Sequence, residues 1–268
     1  GVRLWPGPLW DEPFEGPADV AIVMIEAFIP GLLPPHIATV AWVRNWTEKW
    51  MTVPYLSEFD AVWASSRTSA DALSGPYGGE VTVVPIGVDA ELFHDADSQR
   101  DIEVFASANF WGEERELAPA LAEVSLTRHV VWVGGGSTSP NTGEIVFPGP
   151  ISYFAMPRAY AQSTVVIDDV IAPAKRFGNQ NSRLFESISA GAIPVSNCAL
   201  GLAELGLDEV PVYSSGAELT AIVDGLLTDP DATAALSQRL AAVVAERHTF
   251  AHRAAQVDGS LRALVEAT

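Results

Sequence analysis

The chain has 268 residues, with 34 Asp and Glu against 15 Lys and Arg, a formal net charge of -19, and 48% hydrophobic residues. That length and apolar content suffice for two α/β lobes or one large domain, while the acidic surplus argues against general nucleic-acid binding or docking on an anionic membrane. No apolar run approaches the ~18 to 20 residues of a membrane span, the opening GVRLWPGPLW lacks a basic-then-apolar signal pattern, and a single cysteine, Cys198, excludes an internal disulfide framework; a cytoplasmic setting is the default.

In chain order, strand-like runs are expected at 18–25, 37–43, 61–65, 81–86, 102–107, 129–134, 163–168 and 192–197. Their continuous Val and Ile runs lack strict alternation, which suggests strands covered on both faces, as in parallel sheets. Helices are expected at 66–74, 113–124, 153–162, 183–190, 217–227 and 231–246. Trp46 and Trp50, at i, i+4 spacing, could share a further helix face, with a core role favoured over a sugar platform. Alternating β and α segments predict a doubly wound α/β architecture. After VPIGVDAELF the chain turns polar and acidic, which divides it into a short first lobe, 1–93, and a second lobe, 94–268.

The densest chemistry lies in KRFGNQNSRLFESISAGAIPVSN, residues 175–197. Lys175, Arg176 and Arg183 fall close together with no acid among them. A short helix follows from about Ser182 to Ala190 and stops at Gly191, where a positive φ commonly ends a helix. Cations and helix N-terminal amides, followed one turn later by Glu186, suit a nucleotide diphosphate: the amides and Arg183 can take phosphate oxygens and Glu186 can accept from a ribose hydroxyl. The competing use of the cations is salt bridging to Asp168 and Asp169. Asn179 and Asn181 can cap the helix or turn. GGGST, 134–138, matches neither a P-loop nor a dinucleotide fingerprint; Gly135 there could let backbone approach a nucleobase. The histidines show no metal-ligand set; His248 is expected to pack or cap near the lobe junction, and Cys198 to be a small core residue.

Four segments carry a resemblance: FDAVWASSRTSADALSGPYGGEVTVVPIGVDAELF (59–93), VFASANFWGEERELAPAL (104–121), YAQSTVVIDDVIAPAKRFGNQNSRLFESISAGAIPVSNCALGLAEL (160–205) and RHTFAHRAAQV (247–257). In this order they resemble the group-1 branch of the GT-B glycosyltransferases that includes the spore-maturation-type enzymes. The likeness runs from about Asp19 onward. It implies two Rossmann-like lobes with parallel sheets, the first lobe short. The family's common pair of glutamates is half absent, because Gly178 stands at the first position and Glu186 at the second. The strand and Gly-rich loop with which such chains usually open are not found; either further polypeptide or a partner chain completes the acceptor side, leaving this chain a weak transferase alone, or the first lobe is compact.

The resemblance implies transfer of a sugar from a nucleotide diphosphate donor to a glycan or small-molecule acceptor, without a bound metal or a separate cofactor. Arg183, Arg115 and Lys175 would stabilise the departing diphosphate. Asn109, Trp111, Gly112, Gly135, Arg176, Asn179, Asn181, Ser182 and Glu186 would line the donor site. Arg115 is expected as a second phosphate cation, against a helix-surface pairing with Glu114 or Glu116. Asp11, Glu26 and His36 are candidate bases, and Trp42, Arg44 and Asn45 end a strand that could face the cleft. The alternatives are a non-catalytic domain that partners or regulates a transferase, and a sugar-nucleotide epimerase.

Overall fold

A computed structural model describes residues 4, 17–96, 98–109, 115–135 and 145–267. Its strands form two separate parallel sheets. The first contains β1 (Val20–Val23), β2 (Ala38–Val43), β3 (Ala61–Ala64) and β4 (Val81–Val83), side by side in chain order. The second contains β5 (Ile102–Ser107), β6 (Val130–Val133), β7 (Val146–Gly149), β8 (Ser163–Asp168) and β9 (Ile193–Ser196), in the order β7-β6-β5-β8-β9.

The helices are α1 (Thr47–Thr52), α2 (Arg67–Tyr77), α3 (Leu117–Val124), α4 (Met156–Ala161), α5 (Ala172–Lys175), α6 (Ser182–Ser189), α7 (Gly216–Thr228), α8 (Pro230–Arg247) and α9 (Phe250–Ala267). In the second sheet β5, β6, β8 and β9 are covered on both faces, which is why their sequences are apolar without alternation. Val104 and Ala106 of β5 face a core shared with α3 and α7, whereas Phe105 faces one shared with α4, α6 and α8. Val165 and Ile167 divide from Val166 in the same way along β8.

Three local differences from the sequence reading have simple causes. β7 reads VFPG, an edge strand containing Pro148 and ending in a glycine at φ 89°, so its sequence carries turn residues rather than a strand pattern. Trp46 does not share a helix face with Trp50. It precedes α1 in the left-handed conformation at φ 55°, with Lys49 over its ring, while Trp50 is buried against Phe59. The helix expected at 231–246 is α8, and beyond a break at His248 a further helix, α9, follows it.

The lobes meet at their back through the end of α8. Val88 forms a parallel bridge with Thr249, donating to the His248 carbonyl at 2.9 Å and accepting from Phe250 N at 2.9 Å. α9 then crosses to the first sheet, where Val257, Leu261 and Leu264 pack on Val40, Trp63 and Val84. His248 is buried between them against Phe185. Its Nε2–H donates to the Leu205 carbonyl at 2.8 Å, and its Nδ1 accepts from Arg253 at 2.6 Å. This pairing requires the neutral ring, because a proton on Nδ1 would face the guanidinium.

Burial, followed by the nearby arginines, outweighs the Leu205 hydrogen bond and holds the His248 pKa below the ordinary histidine value. The folded chain therefore binds fewer protons than the unfolded one at this site. The stabilisation is present above the unfolded pKa of about 6.5 and is lost as pH falls through that value toward the lower folded one. Denaturant unfolding between pH 7.5 and 5 should show stability falling toward acid, and His248→Gln should flatten that fall. An unaltered slope in the variant would remove His248 from the account.

Candidate functional site

Parallel α/β sheets gather ligand groups beyond the C-terminal ends of their strands. In the second lobe those ends are polar: β5 finishes at Ser107, β8 at Asp168 followed by Asp169, and β9 at Ser196 followed by Asn197. Successive side chains on a strand point to opposite faces, so Asp168 and Asp169 each serve a different side of the sheet. Both are buried.

Asp168 receives Arg183 Nη1 at 3.2 Å, Asn181 Nδ2 at 2.9 Å and Ser196 Oγ at 3.1 Å. Arg183 Nε donates to Ser107 Oγ at 2.9 Å. Two of the three guanidinium nitrogens are thus fixed, and Nη2 has no hydrogen-bond partner among the described residues. The Arg183 side chain is 14% exposed, against 0% for Asp168. Burial pushes the Asp168 carboxyl up, opposed by Arg183, Asn181 and Ser196. Burial disfavours the Arg183 cation, but Asp168, Tyr160, Asp169 and Glu186 together hold its pKa above the ordinary value.

On the other face, Asp169 receives Arg115 Nη1 at 2.9 Å and Asn197 Nδ2 at 3.1 Å. Arg115 also donates to the Asn109 carbonyl. Of the expected alternatives, Glu114 lies outside the described residues, and Glu116 is taken by Lys175 at 2.9 Å and Asn197 at 3.1 Å. Asn109 Oδ1 accepts from Gly135 N at 3.2 Å, tying the loop after β5 to the loop after β6. Gly134 beside it must be glycine: a Cβ there would lie 1.8 Å from the Ala108 carbonyl oxygen. Trp111, Gly112 and the candidate base Asp11 lie outside the described residues.

α6 supplies the remaining groups. Asn181 and Ser182 stand at its start, and Gly191, at φ 79°, ends the turn after it, as the sequence predicts. Glu186 is buried one turn into the helix, hydrogen-bonded by Ser182 and by Tyr153 Oη at 3.1 Å. Burial raises the Glu186 pKa above the ordinary carboxylate value, against Tyr153, Ser182 and Arg183. Burial and the Glu186 charge push the Tyr153 phenol up to about 12, so it remains a donor at neutral pH.

Several residues sit elsewhere than expected. Neither asparagine caps α6. Asn181 occupies the cap position, but its amide goes to Asp168 and the Asp169 carbonyl. Asn179 is buried between the lobes: it accepts from Ser65 and Ser66, each at 3.0 Å, and donates to Thr47 at 2.9 Å. Arg176 reaches across to Glu48 of the first lobe instead of joining Arg183. Gly178, at the position of the missing glutamate, has φ 68°, and a Cβ there would meet Leu200 at 2.9 Å. His36 precedes β2 and so lies at the opposite end of the sheet from the cleft. Glu26 follows the C-terminal end of β1, 3.9 Å from Lys49. Ser107, Tyr153, Ser196 and Asn197 were not singled out in sequence, although a polar residue closing an apolar strand was a usable signal for all but Tyr153.

Among the described residues no group of three or more His, Cys, Asp or Glu is placed to hold a metal ion, and no helix is long and apolar enough to cross a membrane. Removing one partner of a buried ion pair strands the other charge. Asp168→Ala should therefore lower stability by about 3 kcal/mol, the low end of the usual range, because Arg183 keeps a solvent edge. Urea unfolding reads this directly, and a loss well under 1 kcal/mol would mean that Arg183 finds another partner.

The comparisons with known proteins follow the same lines. A family model described as glycosyl transferase-like matches residues 92–259. No curated protein matches. Among solved structures, sucrose-phosphate synthase from Thermosynechococcus elongatus superposes with a TM-score of 0.69 at 15% identity, covering 87% of this chain and 69% of that one. Anabaena HepE, solved with UDP and glucose, gives 0.66 at 17% identity over 84% and 72% of the two chains. AviGT4, a glycosyltransferase of avilamycin A biosynthesis, gives 0.65 at 15% identity over 97% and 78%. At these identities the structures speak to the fold.

Proposed function

The chain belongs to the glycosyl transferase-like family, and from that premise we propose that it moves a sugar from a nucleotide diphosphate donor to an acceptor hydroxyl, within a GT-B fold. One observation carries the donor reading. Arg183, on the first turn of α6, is anchored at Nε and Nη1 while Nη2 has no hydrogen-bond partner among the described residues, and Glu186 lies one turn further along the same helix.

The diphosphate would take Arg183 Nη2 and the first amides of α6, where the helix dipole favours negative charge. A charge-assisted hydrogen bond from a fixed guanidinium needs little rearrangement as the leaving phosphate gains charge. These groups would act in the place of a cation, so the proposal needs no metal. Lys175 and Arg115 would contribute by releasing part of their hold on Glu116 and Asp169. The ionised Glu186 would accept a ribose hydroxyl, displacing Tyr153. The acceptor would enter from the first lobe, where Glu26 is the described carboxylate at the cleft end of β1.

A nucleoside diphosphate at 100 times its Kd should stabilise the protein by about 2.7 kcal/mol, which a thermal-shift panel of UDP, GDP, ADP and their sugars can find. Arg183→Ala should weaken the best ligand by about 1.5 to 3 kcal/mol, the range for hydrogen bonds to charged groups. Calorimetry giving equal affinity for both proteins would count against this site.

The pH dependence has a definite sign. Glu186 must be ionised to accept the ribose hydroxyl, and its pKa is raised. Affinity should be full at neutral pH and decline as pH falls through that raised value, beginning above the ordinary carboxylate value of about 4.3. Glu186→Gln should bind more weakly at pH 7.5 and lose this acid decline. A decline of the same size in the variant would assign it to another group.

A further inference from the structure

The basic residues near the cleft are nearly all answered by an acid. Lys49 pairs with Glu26, Arg115 with Asp169, Lys175 with Glu116, Arg176 with Glu48 and Arg183 with Asp168. Arg44 is different. It follows the C-terminal end of β2 and is half-buried, yet among the described residues its guanidinium has no hydrogen bond and no ion pair. Its Nε is fully buried and unpartnered. The Trp42 ring lies 5.7 Å from the guanidinium carbon. A ring face attracts the charge, but it does not satisfy N–H donors. Burial holds the Arg44 pKa below the ordinary value, with no carboxylate among the described residues acting against it.

The position is as informative as the missing partner. The Arg44 carbonyl accepts from Ser65 Oγ at 3.1 Å, and the same hydroxyl lies 3.0 Å from Asn179 Oδ1 of the second lobe. Three residues beyond Asn179, the chain enters α6 and its Arg183. Arg44 therefore stands where the first lobe meets the loop that leads to the proposed donor site. In a chain with 34 acidic residues, a part-buried guanidinium without one is a costly arrangement that an external anion would relieve.

We infer that Arg44 is the first lobe's oxyanion contact, binding a phosphate or carboxylate group of a substrate held between the lobes. The inference rests on the transfer reading only in taking this cleft as the substrate site. The group could belong to the donor diphosphate or to an anionic acceptor, and the two sources separate experimentally.

The test uses the full chain as wild type, Arg44→Gln and Arg44→Lys. Calorimetry with UDP and the other nucleoside diphosphates reads the donor arm. Melting in inorganic phosphate, against chloride at equal ionic strength, reads the second arm, on protein saturated with nucleotide and on Arg183→Ala. If the oxyanion is the donor's, Arg44→Gln should weaken nucleoside diphosphate by about ten-fold or more, and Arg44→Lys by less. If it is the acceptor's, nucleotide affinity should be unchanged, while the phosphate-induced shift seen on saturated wild type and on Arg183→Ala should vanish in Arg44→Gln. Free Arg44→Gln should melt at or above the wild-type temperature, because an unpaired charge has been removed.

Equal behaviour of wild type and Arg44→Gln in both arms would overturn the inference. So would a free Arg44→Gln that melts well below wild type, which would show that the guanidinium already has its partner inside the protein. If no nucleoside diphosphate binds the wild type, the donor reading fails while the phosphate arm on Arg183→Ala still decides the role of Arg44.

Discussion

Two carboxylates at adjacent positions, Asp168 and Asp169, constrain the whole C-terminal edge of the second sheet. Each is buried, and a buried carboxylate persists only where charges and hydrogen bonds replace its water. The chain meets this demand from both sheet faces. Arg183, Asn181 and Ser196 converge on Asp168, and Arg115 and Asn197 on Asp169. Those partners come from α6 and the residue before it, from the end of β9 and from Arg115, two residues before α3, so satisfying two charges fixes the relative positions of three elements. The same bonds hold Arg183 at Nε and Nη1 and leave Nη2 without a hydrogen-bond partner among the described residues. Rigidity at this edge is thus a consequence of internal electrostatics and exists before any ligand arrives, which is the preorganisation that charge stabilisation in a transition state requires.

The loop between α5 and α6 links this edge to the first lobe. Arg176 and Asn179 on it face Glu48, Thr47, Ser65 and Ser66, while Asn181 and Ser182 belong to the start of α6. Gly178 supplies the left-handed turn that separates the two halves. A side chain there would be strained by φ and would collide with Leu200, which gives a physical reason why no glutamate stands at this position. Ser66 adds a hydrogen bond to the Phe177 carbonyl at 2.6 Å. Any change in the angle between the lobes must rearrange the buried polar cluster around Asn179, four residues from Arg183, whereas the back of the joint, at Val88 and Thr249, is held by backbone bonds.

Much of the fold was legible because burial on both faces leaves a plain mark: runs of Val and Ile such as STVVID and IEVFAS. What escaped were elements whose residues serve a second purpose. β7 carries Pro148 and Gly149 because it is an edge, and Trp46 takes a left-handed conformation that no helical spacing reveals. At the site, the sign and density of the charges from Lys175 to Arg183 were visible, and so was the helix that follows. The partners were not. Asn179 bonds to Thr47 across 132 positions of chain, and local cap chemistry, a correct default for an asparagine near a helix start, gave the wrong role. Lys175, Arg176, Arg115 and Arg183 raised the same difficulty together: spacing shows where cations cluster, and only the fold shows that each already holds a carboxylate.

Those pairings change how an anion can be recognised here. With a formal net charge of -19, the protein's long-range field opposes an incoming phosphate. The local field is no simple offset, since the cations at the second lobe's edge are largely neutralised by their own carboxylates at distances of 2.9 to 3.2 Å. Attraction by net charge is therefore weak, and discrimination of the proposed substrate anion would have to come from directed donors: the first amides of α6, and Arg183 Nη2 and the Arg44 guanidinium, neither of which has a hydrogen-bond partner among the described residues. Short, oriented hydrogen bonds in a part-buried cleft lose less to salt than exposed charges do. A site built this way would trade encounter rate for geometric selectivity, and would admit an anion only where that anion's oxygens match donors already fixed in place.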